Sequence, residues 1–254
     1  MVLHSRIEGE GKPLLIIHGY LGMSDNWKTL SGKYADAGFQ VHAVDMRNHG
    51  KSFHSDEFTY DAMVSDLVEY CKANNIVKAD IIGHSMGGKA AMFFVTAHPQ
   101  MAGRLVVADI GPKYYDPHHQ DIMAGLNAVD FSVKPERSDV EEILKGYIED
   151  FGTRQFLMKN LYWKEPGQLA FRFNLEVFNE KIDNIGQALP AGARFDGPTL
   201  FLRGDRSNYI KDADFALIRT HFPQAEIKDI KNSGHWLHAE NPQDFLQETL
   251  AFLQ

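Results

Sequence analysis

Between Asp80 and Phe94 the chain reads DIIGHSMGGKAAMFF, one serine set among three glycines. Glycine costs about 0.5–1 kcal/mol in the middle of a helix or strand, so this cluster asks for a local reason. Gly83–His84–Ser85–Met86–Gly87 fits Gly-x-Ser-x-Gly, with an apolar run before it and good helix formers after it. In a strand–turn–helix context such a bend lifts the serine hydroxyl out at the carboxyl end of the strand, while the glycines let the two backbones pass closely. It also sets the Met86 amide at a helix N-terminus, where it can donate to a developing oxyanion. Alone the five-residue pattern is common; the flanking pattern gives it weight.

A serine hydroxyl is a poor nucleophile at neutral pH and needs a base. Of 12 histidines, His235 is the best placed, in NSGHWLHAENP after the last apolar run and before the final helical segment. His4, His42, His54, His98 and His221 read as ordinary surface or core residues. His118–His119 reads as a solvated pair, since no carboxylate or cysteine spacing accompanies it, and His238 as a capping or packing residue. An oxyanion needs a second donor. HGYLG (His18–Gly22) follows an early strand-like run, and its glycines let the backbone double back. The Tyr20 amide is the first choice for that donor and the Leu21 amide the second.

These groups must be positioned by a scaffold. PLLIIHG, FQVHAVD, ADIIGHS, RLVVADIG, PTLFLRGD and AEIKDI are short, mostly apolar runs. Near-continuous apolar runs of this length suggest strands buried on both faces, as in a parallel sheet. MVLHSRIEGEGK reads as an edge strand turning at Gly9–Gly11. Helical patterns fall between the runs, at Tyr60–Lys72, Gly87–Ala97, Ala213–Phe222 and Asp244–Leu253. Such alternation implies an α/β fold with a mostly parallel sheet covered on both faces. The alternation breaks from Tyr114 to about Phe195. Ser138–Glu141 reads as a capping box opening a helix toward Phe151. Rich in aromatics, this segment suggests a helical cap (114–195) inserted between two sheet strands of a core formed by residues 1–113 and 196–254. A plain surface excursion would leave too many aromatics without a partner surface.

Composition narrows the functional classes. The chain has 254 residues and a net charge of −8. An acidic surface repels nucleic-acid phosphates and anionic lipid heads, so neither partner is expected. No apolar run approaches the roughly 18 residues of a membrane-spanning helix. The N-terminal segment does not read as a signal peptide. A single cysteine, Cys71, permits no intrachain disulfide and fits a reducing cytoplasm. Nothing distinguishes a monomer from a small homo-oligomer.

Taken together, HGYLG, DNW, VDMRNHGKS, GHSMGGKAAM, VVADIGP and NSGHWLHAENP resemble the α/β-hydrolase superfamily, in its order and over nearly the whole chain. They look most like the small YbfF-type bacterial esterases and their mitochondrial relatives. That resemblance implies the α/β-hydrolase fold and no cofactor or metal. It also implies a serine esterase or thioesterase, acting on a small-molecule acyl ester or acyl-CoA of short to medium chain. One departure stands out. Many members carry an aspartate after the strand matching PTLFLRG; here Gly204–Asp205–Arg206–Ser207 puts Ser207 at that position, with Asp205 two residues early. YbfF-like members use an earlier site, which corresponds to Asp109 at the end of VVADIGP. Asp109 is therefore the expected orienting acid, Asp205 the alternative, and Ser207 a supporting hydrogen-bond partner.

In VDMRNHGKS, Arg47 is expected to tie loops beneath the site, and Lys89 to be structural. The acyl pocket is expected from the cap aromatics and leucines: Phe131, Phe151, Phe156, Leu157, Leu161, Trp163, Phe171, Phe173 and Phe178. The same framework also supports C–C bond hydrolysis and perhydrolysis. A non-catalytic ligand-binding protein on the hydrolase fold is a further alternative, though such proteins often lack the nucleophile or base.

Overall fold

The computed structural model describes residues 1–116 and 119–254. All the anticipated apolar runs are strands. In chain order they are β1 (Ser5–Glu8), β2 (Lys12–Ile17), β3 (Phe39–Val44), β4 (Ala79–His84) and β5 (Ala102–Ala108); β6 (Leu161–Glu165) and β7 (Gln168–Phe171) come next, then β8 (Thr199–Gly204) and β9 (Ala225–Ile230). Seven of them form one sheet in the order β1-β3-β2-β4-β5-β8-β9. Only β1 is antiparallel, pairing with β3 at one edge.

Among the described residues, ten α-helices accompany the strands. Those packed on the sheet are α1 (Lys28–Asp36), α2 (Tyr60–Ala73) and α3 (Met86–Ala97). Between β5 and β8 come α4 (Gln120–Asn127), α5 (Arg137–Lys145), α6 (Phe151–Met158) and α7 (Leu175–Lys181). The chain ends with α8 (Phe215–His221), α9 (Leu237–Glu240) and α10 (Pro242–Leu253). Side chains alternate across each strand, so the sheet builds two cores. Leu14, Ile16, Ile82, Val106 and Leu202 pack against Trp27, Leu30 and Tyr34 around α1 and against Phe245 and Leu253 of α10. Leu15, Ile17, Ile81, Leu105 and Val107 face the other way, against Met63, Leu67 and Cys71 of α2 and the apolar face of α3.

Local chemistry sets the helix ends. Thr59 caps α2 by accepting from the Ala62 amide at 3.2 Å, and Asn241 caps α10 ahead of Pro242. Two expectations between β5 and β8 need correction. The capping box lies at Glu136 and Asp139, so α5 starts at Arg137; it stops at Lys145 instead of running toward Phe151. Asp150 opens a separate helix, α6, by accepting from the Thr153 amide. The stretch read as helical around Tyr162 is instead the β6–β7 hairpin, turned at Pro166–Gly167, where proline lacks the donor a helix needs.

The α/β order places the loops that matter at one edge. The segments following β2, β4, β5, β8 and β9 all leave from the carboxyl ends of neighbouring parallel strands, where open α/β sheets bind ligands. Arg47 lies beneath this edge, clamped to Asp66 at 2.6 and 2.9 Å and donating to the carbonyls of Glu57 and Ala62. It braces loops, as expected.

Candidate active site

Ser85 is the residue between β4 and α3, held at φ 53° and ψ −121°. A side chain pays for such a conformation with strain, which persists only where its surroundings enforce it. Here the enforcement is close backbone packing. A Cβ on Gly87 would stand 2.2 Å from the Ile17 carbonyl oxygen, and one on Gly83 would stand 2.4 Å from that of Gly87. The two glycines therefore let α3 sit against β2 and β4, and the turn lifts Ser85 clear of the sheet.

Asp109 follows β5, the neighbour of β4, and also has a positive φ of 53°. It is fully buried. One carboxylate oxygen accepts from the Gly204 amide at 3.1 Å. The other accepts from Nδ1 of His235 at 2.8 Å and from the hydroxyl of Ser207. A carboxylate only accepts, so Nδ1 carries the proton. Nε2 of His235 is then free to accept from Ser85 Oγ, 2.9 Å away. Ser85, His235 and Asp109, far apart in sequence, form one hydrogen-bonded chain. Asp205 stands apart from it. Its carboxylate accepts from the amides of Asn232 and Ser233, both at 3.1 Å, and these bonds hold it below the usual carboxylate range. It shapes the loop that carries His235 without touching the ring.

Two contacts hold His235 further, one on its ring and one on its backbone, and neither was evident from sequence. The Tyr209 ring stacks on the imidazole at 3.8 Å and 14°. Nε2 of His84 donates to the His235 carbonyl at 2.7 Å. His84 is the first variable position of Gly-x-Ser-x-Gly, where no local pattern marks it. Burial, with His238 and His235 beside it, keeps His84 well below the usual imidazole range.

Tyr20 and Met86 both border the space at Ser85. Their amides have no hydrogen-bond partner among the described residues. The Leu21 amide is taken: it donates to Nε2 of His49 at 3.2 Å. His49 in turn donates from Nδ1 to the Arg47 carbonyl at 2.9 Å. His18 works alongside it, accepting the Met46 amide on Nε2 and donating to the Gly19 carbonyl from Nδ1. Both rings are buried and neutral in these roles, and desolvation lowers their affinity for a proton.

A cavity of about 250 Å³ opens over Ser85. Of the residues expected to wall it, only Phe156 and Leu157 do. Phe131, Phe171, Phe173 and Phe178 pack on one another with ring centroids 4.8–5.9 Å apart, and Leu161 is buried. Phe151 and Trp163 are exposed. The missing wall comes largely from the core, through Trp27, Tyr209, Trp236 and His238. His238 packs as expected, stacked on Trp27 at 4.3 Å and 5°. His118 lies outside the described residues. His119 is not simply solvated: it lines the cavity, edge-on to Tyr20 at 5.3 Å. Lys89 is structural as expected, buried in α3 and donating to the carbonyls of Lys113 and Gln187.

Fold and site together define an α/β hydrolase. The family model for the alpha/beta hydrolase fold matches residues 12–130. A zebrafish (Danio rerio) protein, sn-1-specific diacylglycerol lipase ABHD11, is 37% identical over 97% of this chain and 80% of its own length. Esterase YbfF of Escherichia coli is 34% identical over 95% of this chain and 92% of its own. A solved structure, a marine microorganism esterase, superposes with a TM-score of 0.96 at 41% identity, covering 99% of both chains. The chain belongs to the α/β-hydrolase family, and within it to the esterase/lipase-type members.

Proposed function

We propose that the protein is a serine carboxylesterase that hydrolyses short- to medium-chain acyl esters or acyl thioesters through an acyl-enzyme intermediate. The single observation that carries this is the position of His235, bonded through Nδ1 to Asp109 and through Nε2 to Ser85. In this mechanism Ser85 Oγ attacks the substrate carbonyl as His235 Nε2 takes its proton. The oxyanion that forms is held by the amides of Tyr20 and Met86. The tetrahedral adduct collapses, the bond to the leaving alcohol or thiol breaks, and His235 returns its proton to that group. Water, deprotonated by the same ring, attacks the acyl-enzyme; the bond to Ser85 Oγ breaks, the ring returns the proton to that oxygen, and the acid leaves. Asp109 holds the tautomer and stabilises the imidazolium without taking the proton. Ser207 supports Asp109 through its second bond. The cavity of about 250 Å³ lies just below the roughly 300–1,000 Å³ usual for ligand pockets, which suits substrates of modest size.

Labelling with a fluorophosphonate tests the nucleophile, and a graded series of p-nitrophenyl esters and acyl-CoAs tests the reaction. Covalent labelling is expected for the native chain and not for Ser85→Ala, with ester turnover lost in that variant. Equal labelling of both proteins would assign the reactivity elsewhere. Flat, feeble turnover across both series would favour C–C hydrolysis or a ligand-binding role.

A further inference from the structure

The space at Ser85 has two lobes. The larger is the 250 Å³ cavity, and His235 and Trp236 line it. The smaller, about 30 Å³, is lined mainly by Met86, Ile110, Tyr115, Ile185, Gly186 and Tyr209, with Tyr20, Asp116 and His119 also on its wall. Ser85 borders both lobes, whereas His235 borders only the larger. A general acid must come within about 2.6–3.2 Å of the atom it protonates. In ester hydrolysis that atom is the leaving oxygen or sulfur, so the leaving group belongs on the side of the histidine. The acyl chain, on the opposite side of the carbonyl carbon, is left with the other lobe, which the oxyanion donors Tyr20 and Met86 also border.

We propose that the small lobe is the acyl-chain subsite and the large cavity the leaving-group subsite, so that the enzyme selects esters of short acids with bulky alcohols or thiols. This rests on the hydrolytic reading of Ser85 and His235. At about 10–15 Å³ per water-sized group, the small lobe of about 30 Å³ holds two or three such groups, which limits the chain beyond the carbonyl to at most propionyl or butyryl.

Its wall is also pinned. The Tyr115 amide donates to the Gly186 carbonyl at 2.9 Å. The Tyr115 hydroxyl accepts from the Gly111 amide at 2.8 Å and donates to the Tyr209 carbonyl at 2.7 Å. Tyr60 donates to the Ile185 carbonyl at 2.7 Å, and Lys89 to that of Gln187 at 2.7 Å. A Cβ on Gly186 would stand 2.0 Å from the Tyr115 carbonyl oxygen, so these segments meet without slack. Swelling to admit a long chain means breaking several of these bonds. The large side has room outward. It shares Asn26, Thr153, Phe156, Trp236 and His238 with a groove of about 580 Å³, whose far side carries Asp150, Gln155, Lys159 and Glu240. A leaving group with an apolar inner part and a polar outer end fits that gradient.

Two substrate series separate the lobes. One varies the acid from acetyl to decanoyl on p-nitrophenol; the other varies the alcohol from ethyl to naphthylmethyl on acetate. The native enzyme is expected to lose at least tenfold in kcat/KM between butyryl and octanoyl, and to hold or gain across the alcohols. Ile185→Ala keeps its backbone bond to Tyr60 while widening the small lobe. It should move the acyl limit to longer chains while the relative order of the alcohols is kept; Ile185→Val gives a smaller step in the same direction should the alanine variant fail to fold. Leu157→Trp should penalise the bulky alcohols alone. Long acids accepted, bulky alcohols rejected and Ile185 variants acting on the alcohols would overturn the assignment while hydrolysis itself stood. Absence of turnover in both series would remove the hydrolytic reading and this division with it.

Discussion

At the scale of single residues, the carboxylate that orients a histidine is decided by reach. Asp109 leaves the strand beside that of Ser85, is buried, and spends one oxygen on the imidazole. Asp205 spends both oxygens on backbone amides. Asp109→Asn is therefore expected to lower kcat by roughly 10⁴, the loss typical when the wrong tautomer is presented. Asp205→Asn should leave turnover near normal, and Ser207→Ala should cost about tenfold, because a hydrogen bond to a charged group is worth about 1.5–3 kcal/mol and His235 still holds Asp109. Steady-state kinetics on the three variants checks the order; near-normal rates for Asp109→Asn with loss in Asp205→Asn would reverse the assignment.

At the scale of elements, the loop after β2 has one amide left over because another is occupied. His49 accepts the Leu21 amide, and His18 holds the Gly19 carbonyl on the other side of Tyr20. These bonds fix which way the Tyr20 amide is presented. His49→Leu leaves the Leu21 amide without an acceptor, a loss of about 1–3 kcal/mol for a buried donor, and lets the loop turn. We expect kcat to fall about tenfold to a hundredfold, short of the 10²–10³ seen when an oxyanion donor is deleted outright, with KM little changed. His49→Gln, which keeps an acceptor, should recover part of the rate. A stable His49→Leu enzyme with native kcat would show that the loop is oriented without it.

On the whole-molecule scale, the same buried rings set a limit on acid stability. His18, His49, His84 and His238 all have their proton affinity lowered by burial, His238 to about 3. Once unfolded, each titrates near 6.5. Below that value the unfolded chain binds more protons than the fold, so stability present above pH 6.5 is lost as the pH drops toward the folded values. Each ring contributes a slope of up to about 1.4 kcal/mol per pH unit. Urea midpoints measured from pH 7.5 to 5 should fall steeply, and replacing His238 by Gln should make the fall shallower. A midpoint that stays level across this range would mean that these rings take up protons within the fold at no penalty.

Much of this molecule is written locally. The sheet strands, the bend at Ser85 and the position of His235 after the last of them follow from apolar runs, glycine spacing and loop placement, because propensity and periodicity act within a few residues. Helix ends were less legible: Glu136 and Asp139 took the capping role expected of Ser138 and Glu141, and Pro166–Gly167 turned a hairpin where helix was expected. Only the tertiary structure decided that Asp109 meets His235, that His49 claims the Leu21 amide, that Tyr209 lies flat on the imidazole, and that most phenylalanines between β5 and β8 pack on one another instead of facing the cavity. The first three are contacts across two dozen residues or more, and all four are set by strand order and by which side chains compete for the same buried space, neither of which is carried by any short stretch of the chain.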